Sequence, residues 1–154
     1  MKKLLALALA SAMVLSLAAC GSKDQPSGSQ SSGSSSSGDK VVKIGVFEPA
    51  TGDSASGGKK EMLGMQYANA QTPTVEVGGQ TYQVELVYGD NGSDQSKAPS
   101  AASQLVSAGV SIVLGSYGSG VSMAGGPIFN DAGLAAMGVT CTNPNVTAGN
   151  DYYY

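Results

Sequence analysis

The chain has 154 residues, with 8 Lys plus Arg, 11 Asp plus Glu, no His, no Trp and a formal net charge of −3. Without histidine it cannot build a Ser-His-Asp triad, a Cys-His dyad or an H-E-x-x-H zinc site, which argues against an enzyme of these classes and against a metal cofactor. The acidic balance and the absence of arginine also argue against a nucleic-acid partner.

The first 20 residues have the pattern of an export signal. Lys2 and Lys3 precede an apolar run over 4–17, and Leu17-Ala18-Ala19-Cys20 follows at once. This motif is similar to a bacterial lipobox, which implies cleavage after residue 19 and acylation of the Cys20 thiol. The alternative is an ordinary secretory signal with a chance cysteine. Because the run is shorter than the ~20 residues of a membrane span, we expect a protein anchored to the membrane.

Residues 21–40 contain nine Ser, four Gly and no aliphatic or aromatic side chain. Such a segment cannot bury enough surface to offset the entropy of ordering. As a flexible coil it would have a root-mean-square span of about 25 Å. We therefore expect a signal peptide over 1–19, a lipidated Cys20 with a tether over 20–40, and a folded domain over 41–154.

Strand and helix patterns alternate along this domain. Strands are predicted at 41–47, 74–77, 82–88, 111–114 and 134–139, with Gly78-Gly79 as a hairpin turn. Helices are predicted at about 59–70, from 98 to a stop at Gly109, and through 121–132 with a kink near Pro127. Pro99 requires either that the second helix begin near it or that its first turn be distorted.

The first of these helices takes its apolar side from Met62, Leu63, Met65 and Tyr67. The alternation as a whole is typical of a doubly wound α/β sheet with a Rossmann-like topology. Ligands of such sheets bind outside the carboxyl ends of the strands. The loops that follow the predicted strands are therefore the places to look for a site.

Three glycine-containing segments come close to catalytic or nucleotide motifs without matching them. In 53–60, Asp53 replaces the first glycine of a P-loop and Lys60 replaces its Ser/Thr. Residues 118–123 lack the third glycine of a dinucleotide fingerprint. Residues 120–124 approximate a nucleophile elbow, but no base is present to activate Ser122, which is better interpreted as a helix serine. We expect no nucleotide cofactor and no catalysis.

The segment 115–120 is the strongest candidate for ligand binding. A strand that ends in small residues and feeds a helix exposes backbone N–H groups at the positive end of the helix dipole, with the Ser116 and Ser119 hydroxyls nearby. Without lysine or arginine this segment, which we call the cradle, suits a carboxylate better than a phosphate. The alternative is a tight turn with a serine N-cap. The hydroxyls and carbonyls of 140–144, after the next strand, suit an ammonium, so the two loops together predict a site for an amino acid.

These segments also carry a family resemblance, which covers about 43–154. Its marks are Ile44-Gly45-Val46-Phe47 with Thr51-Gly52-Asp53, Tyr88-Gly89-Asp90-Asn91 with Ser93-Asp94, the segment 115–120, Asp131-Ala132-Gly133 and Thr142-Asn143-Pro144. In this order and spacing they resemble the N-terminal lobe of a leucine/isoleucine/valine-binding protein. That family is the amino-acid-binding branch of the type I periplasmic binding proteins, which serve ABC transporters.

The resemblance implies a role for particular residues. Ser119, in the cradle with Gly118 and Gly120, would bind the ligand carboxylate through its hydroxyl. Thr142 would share in carboxylate and ammonium binding, and the Thr140 carbonyl would accept from the ammonium. The remaining candidates border the ligand: Cys141, Tyr117, Asp53 and Ser54.

The resemblance also implies a function and a location. It implies a lipid-anchored substrate-binding protein, on the outer face of the bacterial cell membrane or in the periplasm, that delivers a small, branched-chain amino acid to ABC permease subunits. One alternative is a sensor that presents an amino acid or amide to a signalling receptor. A tethered enzyme or an adhesin is another.

Family members have two lobes, and this sequence stops near the point where the first crossover would begin. We therefore expect the lobe to be truncated before the second one. Cys141 could pair with a cysteine beyond that point or be a small buried residue beside the site. The tyrosines at 152–154 are predicted to form a strand and a wall of the cleft.

Overall fold

A computed structural model describes residues 40–154. The predicted signal peptide over 1–19, the lipidated Cys20 and the tether as far as residue 39 lie outside the described residues. Within 40–154, no helix is both long and apolar enough to cross a membrane.

The described part of the chain forms one five-stranded sheet. In chain order its strands are β1 (Val41–Glu48), β2 (Thr74–Val77), β3 (Gln80–Asp90), β4 (Ile112–Leu114) and β5 (Ala136–Met137). They lie side by side in the order β2-β3-β1-β4-β5. Only the β2–β3 hairpin is antiparallel. The central β1 pairs with β3 from Val41 to Glu48 and with β4 from Ile44 to Val46, so it is the best-anchored strand.

Three helices connect the strands: α1 (Ala55–Gln71), α2 (Ala98–Ser107) and α3 (Ser119–Asp131). Successive residues of a strand point to opposite faces of the sheet. Phe47 of β1 packs edge-on against Phe129 of α3, with ring centroids 5.3 Å apart. The next residue, Glu48, meets Glu61 of α1. Hence α1 covers one face of the sheet and α3 the other, where it packs against α2.

The hydrophobic core lies on the face covered by α2 and α3. Apolar side chains from both helices and from the strands between them are almost fully buried there: Phe47, Ala98, Ala102, Leu105, Val113, Val121, Phe129 and Ala136. Tyr153 joins this core, because residues 152–154 pair in parallel with β5. The predicted strand character of this tyrosine segment is confirmed at Tyr153.

The predicted doubly wound α/β topology and the hairpin at Gly78-Gly79 are confirmed. Pro99 lies in the first turn of α2, where a missing N–H costs nothing, so the helix begins beside it. Several boundaries were wrong, and β3 extends two residues beyond the predicted 82–88 at each end. The last strand is two residues long instead of six, because its partner β4 is only three residues long. The first helix begins at Ala55 instead of Lys59.

The predicted apolar side of α1 was only half right, because Met62 and Met65 are half-buried whereas Leu63 and Tyr67 are exposed. Of the 17 residues in this helix only Gly58 is buried. Leu63 and Tyr67 are 65% and 68% exposed, so neither packs onto the sheet within the described part of the chain. The periodicity correctly indicated a helix, but it could not tell which residues would be covered.

The early start of α1 depends on two glycines that allow close backbone approach. A Cβ on Gly58 would lie 2.4 Å from the Pro49 carbonyl oxygen, and one on Gly57 would lie 2.5 Å from Cζ of Tyr117. The first turn of α1 therefore rests directly on the loop after β1. Packing explains this Gly-Gly pair, which lies before the predicted start of the helix at about residue 59.

We expect Gly58→Ala to destabilise the fold by about 1–3 kcal/mol, because the added methyl group must displace backbone. Gly64→Ala is the matched control on the same helix, since a Cβ there meets nothing within 4 Å. It should stabilise by roughly 0.5–1 kcal/mol through helix propensity. Denaturant unfolding of both variants checks this, and equal stabilities would contradict the close approach of α1 to Pro49.

Candidate functional site

The parallel strands end at one edge of the sheet, which we call the carboxyl edge. It is formed by the loops 49–54 after β1, 91–97 after β3, 115–118 after β4 and 138–143 after β5. Every candidate ligand-binding residue predicted from the sequence lies on one of these loops or on the adjoining end of α3.

Asp90 joins the first two of these loops. Its carboxylate accepts hydrogen bonds from the backbone N–H groups of Ala50 (2.9 Å), Thr51 (3.2 Å) and Gly92 (2.9 Å), and from the Thr51 hydroxyl (2.8 Å). Burial opposes ionisation, but these bonds outweigh it, led by that of the Thr51 hydroxyl, and they lower the pKa of Asp90 below its ordinary value. Asp90 thus fixes the shape of the edge.

Ser116 is fully buried, and its hydroxyl is not available in the way the sequence suggested. Asn91, also buried, donates from Nδ2 to the Ser116 hydroxyl over 2.8 Å, and the Ser116 N–H donates to the Ser122 hydroxyl over 3.3 Å. The side chain therefore joins the ends of β3 and β4. The expectation that Ser116 lines the cradle was wrong, because Asn91 draws its hydroxyl inward.

Ser119 joins the two loops that the sequence predicted would meet a ligand. Its Oγ accepts hydrogen bonds from the N–H groups of Thr142 and Asn143, each over 3.2 Å. A hydroxyl has two acceptor positions and one donor, so both acceptor positions are used. The remaining O–H can donate to a carboxylate.

The helix that follows is not capped by a serine. The N-cap of α3 is Gly118, with φ 110°, and no side chain caps the helix. The alternative reading of the segment as a turn with a serine N-cap was therefore wrong. In the preceding turn, the Tyr117 N–H donates a hydrogen bond to Glu48 Oε2 of β1 over 2.8 Å. Uncapped N–H groups of the first turn of α3 are suited to an anion.

Gly120 is approached by a residue that the sequence did not single out. A Cβ on Gly120 would lie 2.9 Å from Nε2 of Gln95, which places that amide beside the cradle. Gln95 lies in the loop between β3 and α2 and is exposed. A neutral, polar side chain at this position has no sequence signal of its own, because it belongs to no motif.

The loop after β5 presents two threonines in different ways. The Thr140 hydroxyl donates to Glu61 Oε1 of α1 over 2.6 Å. Thr142 is exposed, and within residues 40–154 its hydroxyl makes no hydrogen bond, whereas its N–H is held by Ser119. Thr142 is thus the residue of this loop whose side chain is free for a ligand.

Cys141 points inward beneath the cradle. Its sulfur lies 3.1 Å from the Ser122 Oγ and donates to the Ser116 carbonyl over 3.4 Å. It is half-buried and packs against the core. These contacts agree with the alternative in which Cys141 is a small residue packed beside the site. The other alternative, a pairing with a cysteine beyond residue 154, stays untested. Ser122 itself is fully buried in α3, as expected for a helix serine.

Tyr117, Asp53 and Ser54 lie at the rim of the carboxyl edge. The Tyr117 ring rests on Gly57 and is 41% exposed. The Ser54 N–H donates to the Ser93 hydroxyl over 2.9 Å, and Asp53 is exposed. These positions are open enough to border a ligand, and that role stays a prediction.

Glu48 is a second residue of the edge that sequence analysis missed. It is 1% exposed at the end of β1, and burial, followed by the neighbouring Glu61, raises its pKa to about 9. The signal that could have found it is a carboxylate placed directly after the apolar Val46-Phe47 and before Pro49, at the end of a central strand. Among residues 40–154, no group of three or more metal-binding side chains lies together.

Comparison with known proteins settles the family. The sequence profile described as periplasmic binding protein matches residues 41–154. The chain belongs to the periplasmic binding protein family. A curated relative, the Leu/Ile/Val-binding protein homolog 2 of Brucella abortus, is 33% identical over 106 residues, which are 69% of this chain and 28% of that protein.

Solved structures of periplasmic binding proteins have the same α/β fold. A leucine binding protein LivK from Thermotoga maritima is similar with a TM-score of 0.67 and 33% identity, over 73% of this chain and 31% of that one. The branched-chain amino acid transporter substrate binding protein LivJ from Streptococcus pneumoniae, in complex with isoleucine, has a TM-score of 0.66 and 29% identity, over 75% and 33%. The chain thus spans a third or less of these relatives, and the resemblance inferred from its motifs is confirmed.

Proposed function

We propose that residues 41–154 are the N-terminal substrate-binding lobe of an exported lipoprotein that captures a small, branched-chain amino acid and delivers it to an ABC permease. Residues 1–19 would be its signal peptide and 20–40 its lipidated Cys20 and tether. The names of the relatives from Brucella and Thermotoga and the isoleucine complex from Streptococcus favour this class of ligand.

The observation that carries the proposal is the hydrogen bonding of Ser119. Because its acceptor positions are taken by the Thr142 and Asn143 N–H groups, its proton is left to donate to a ligand carboxylate. The uncapped first turn of α3 adds backbone donors and the positive end of a helix dipole. An ammonium a few ångströms away would meet the oxygen-rich loop that contains Thr140 and Thr142.

The absence of lysine and arginine from this cradle favours a carboxylate over a phosphate as the bound anion. Within the loops 115–120 and 138–143 there is no basic side chain to balance the two charges of a phosphate. A carboxylate carries one charge and can be bound by neutral donors. An amino acid brings its own cation, so the ligand and the site together are close to neutral.

The proposal predicts which solutes stabilise the full-length protein. Leucine, isoleucine or valine at 100 times its dissociation constant should raise the free energy of unfolding by about 2.7 kcal/mol, because the ligand binds only the folded state. Sugars and nucleotides should give no shift. Melting curves with each solute test this, and a shift with sugars but with none of the amino acids would overturn the ligand class.

A further inference from the structure

A pair of carboxyl groups behind the cradle has no use in the proposed function. Glu48 Oε1 and Glu61 Oε2 are both buried, and neither receives a hydrogen bond from any group in residues 40–154. The two side chains lie within hydrogen-bonding reach of each other. Buried acceptors normally have a donor, so two orphaned oxygens at one place require an explanation.

The other oxygen of each carboxyl group is bonded to one of the candidate ligand-binding loops. Glu48 Oε2 accepts from the Tyr117 N–H over 2.8 Å, and Glu61 Oε1 accepts from the Thr140 hydroxyl over 2.6 Å. The pair therefore stands between the loop that leads into Ser119 and the loop that leads to Thr142.

Within residues 40–154, no basic side chain contributes to the electrostatics of Glu48. The ionisable groups of residues 40–154 that face Glu48 are Glu61 from α1, the Tyr153 hydroxyl from the segment 152–154 and, next to that hydroxyl, the Cys141 thiol. None of them can carry a positive charge. The Tyr153 hydroxyl donates to the Gly115 carbonyl over 2.7 Å, so its proton is already engaged.

We propose that Glu48 and Glu61 share one proton, carried on Glu48 Oε1 and donated to Glu61 Oε2, and that this bond positions the two loops that receive the ligand. One proton satisfies both orphaned oxygens and leaves the pair with one negative charge instead of two. Two adjacent buried carboxylates cannot both ionise at neutral pH, because each disfavours the charge on the other. The positioning role rests on the proposed function, whereas the shared proton does not.

The bond completes a chain of hydrogen bonds from Tyr117 through Glu48 and Glu61 to Thr140. Ser119 forms the second connection between the same loops. When the shared proton is lost, the two carboxylates repel each other beneath the cradle, and a second negative charge opposes the ligand carboxylate. Glu48 and Glu61 are thus positioning residues, and binding should depend on their protonation.

Glu48→Gln tests the shared proton without a ligand. The Gln amide can donate to Glu61 Oε2 and its carbonyl can accept from the Tyr117 N–H, so it imitates the protonated acid at every pH. In the wild type, burial and Glu61 raise the pKa of Glu48 from 4.5 to about 9. The stability that this proton provides is complete below pH 4.5 and is lost as the pH rises through about 9.

In this window the wild-type unfolding constant should rise about tenfold per pH unit relative to that of the Gln variant, since the folded state holds one more proton than the unfolded state. Glu76→Gln, on the exposed edge strand β2, is the control and should keep the wild-type profile. Parallel profiles for the wild type and Glu48→Gln would overturn the shared proton.

Calorimetric titration of leucine into the full-length wild type, Glu48→Gln and Glu48→Ala tests the positioning role. At pH about 7 the wild type and Glu48→Gln should bind alike, and above pH about 9 the wild type should lose roughly tenfold in affinity relative to the variant. Deprotonation of the leucine ammonium at high pH lowers the affinity of every protein alike, so it cancels when the proteins are compared. Glu48→Ala, which cannot bond to Tyr117 or Glu61, should bind more weakly at every pH.

The outcomes separate the two proposals. Equal affinities for the wild type and Glu48→Gln across the whole pH range would overturn the positioning role even if the stability profiles differ. If the wild type binds no amino acid at any pH, the proposed function and the positioning role fail, and the stability profiles alone still decide the shared proton.

Discussion

Ser119→Ala is expected to weaken amino-acid binding by roughly 10-fold to 150-fold. The variant removes one hydrogen bond to a charged carboxylate, which is worth about 1.5–3 kcal/mol. It should also lose about 1 kcal/mol of stability, because the Thr142 and Asn143 N–H groups lose their acceptor. Calorimetric titration and denaturant unfolding of the full-length protein measure the two losses separately.

Thr142→Val separates ligand binding from folding more cleanly. Valine keeps the volume of threonine, and within residues 40–154 the Thr142 hydroxyl makes no hydrogen bond that folding would miss. Affinity should therefore fall while stability does not. Ser103→Ala, on the exposed side of α2 and away from the carboxyl edge, is the control and should bind as the wild type does. Unchanged affinity in both Ser119→Ala and Thr142→Val would refute the carboxylate site.

Cys20→Ser is expected to release the mature protein from membranes almost completely. Acyl chains contribute about 0.8 kcal/mol per buried methylene, and the Gly/Ser segment that follows has no large apolar side chain to replace them. Cys141→Ser is the matched control, since it removes the other thiol and leaves the anchor in place. Fractionation of cells followed by detection of the protein checks both variants. A wild type that is as soluble as Cys20→Ser would show that residue 20 carries no lipid.

The sequence predicted the pieces of the fold that depend on local pattern. The hairpin at Gly78-Gly79, the parallel strands and the loops that gather at their carboxyl ends follow from periodicity and turn residues. The boundary of α1 did not, because Gly57 and Gly58 favour a helix only when Tyr117 and Pro49 are packed against them. Tertiary contact here overrides a composition that is typical of a turn.

The candidate site was predictable to a similar depth. The loops 115–120 and 140–144 could be named because the carboxyl ends of parallel strands have a known chemistry, whereas the particular roles of Ser119 and Thr142 were implied by the family resemblance and stay predictions. The inward turn of Ser116 could not be foreseen, since it depends on Asn91, which is 25 residues away along the chain. Glu48 and Glu61 are separated by a loop and about two helical turns, and only folding brings the two carboxyl groups together. Contacts of this kind leave no local pattern.

The attachment of α1 has a mechanical consequence. Its first turn rests on Pro49 and Tyr117, Glu61 accepts a hydrogen bond from Thr140, and further along the Gln66 amide donates to the Tyr88 hydroxyl of β3 over 3.0 Å. A helix of 17 residues is about 25 Å long, and these contacts span residues 57–66, more than half of it. The helix is therefore held at several points along its length, so moving it would break contacts with the loops of the carboxyl edge and with β3 together.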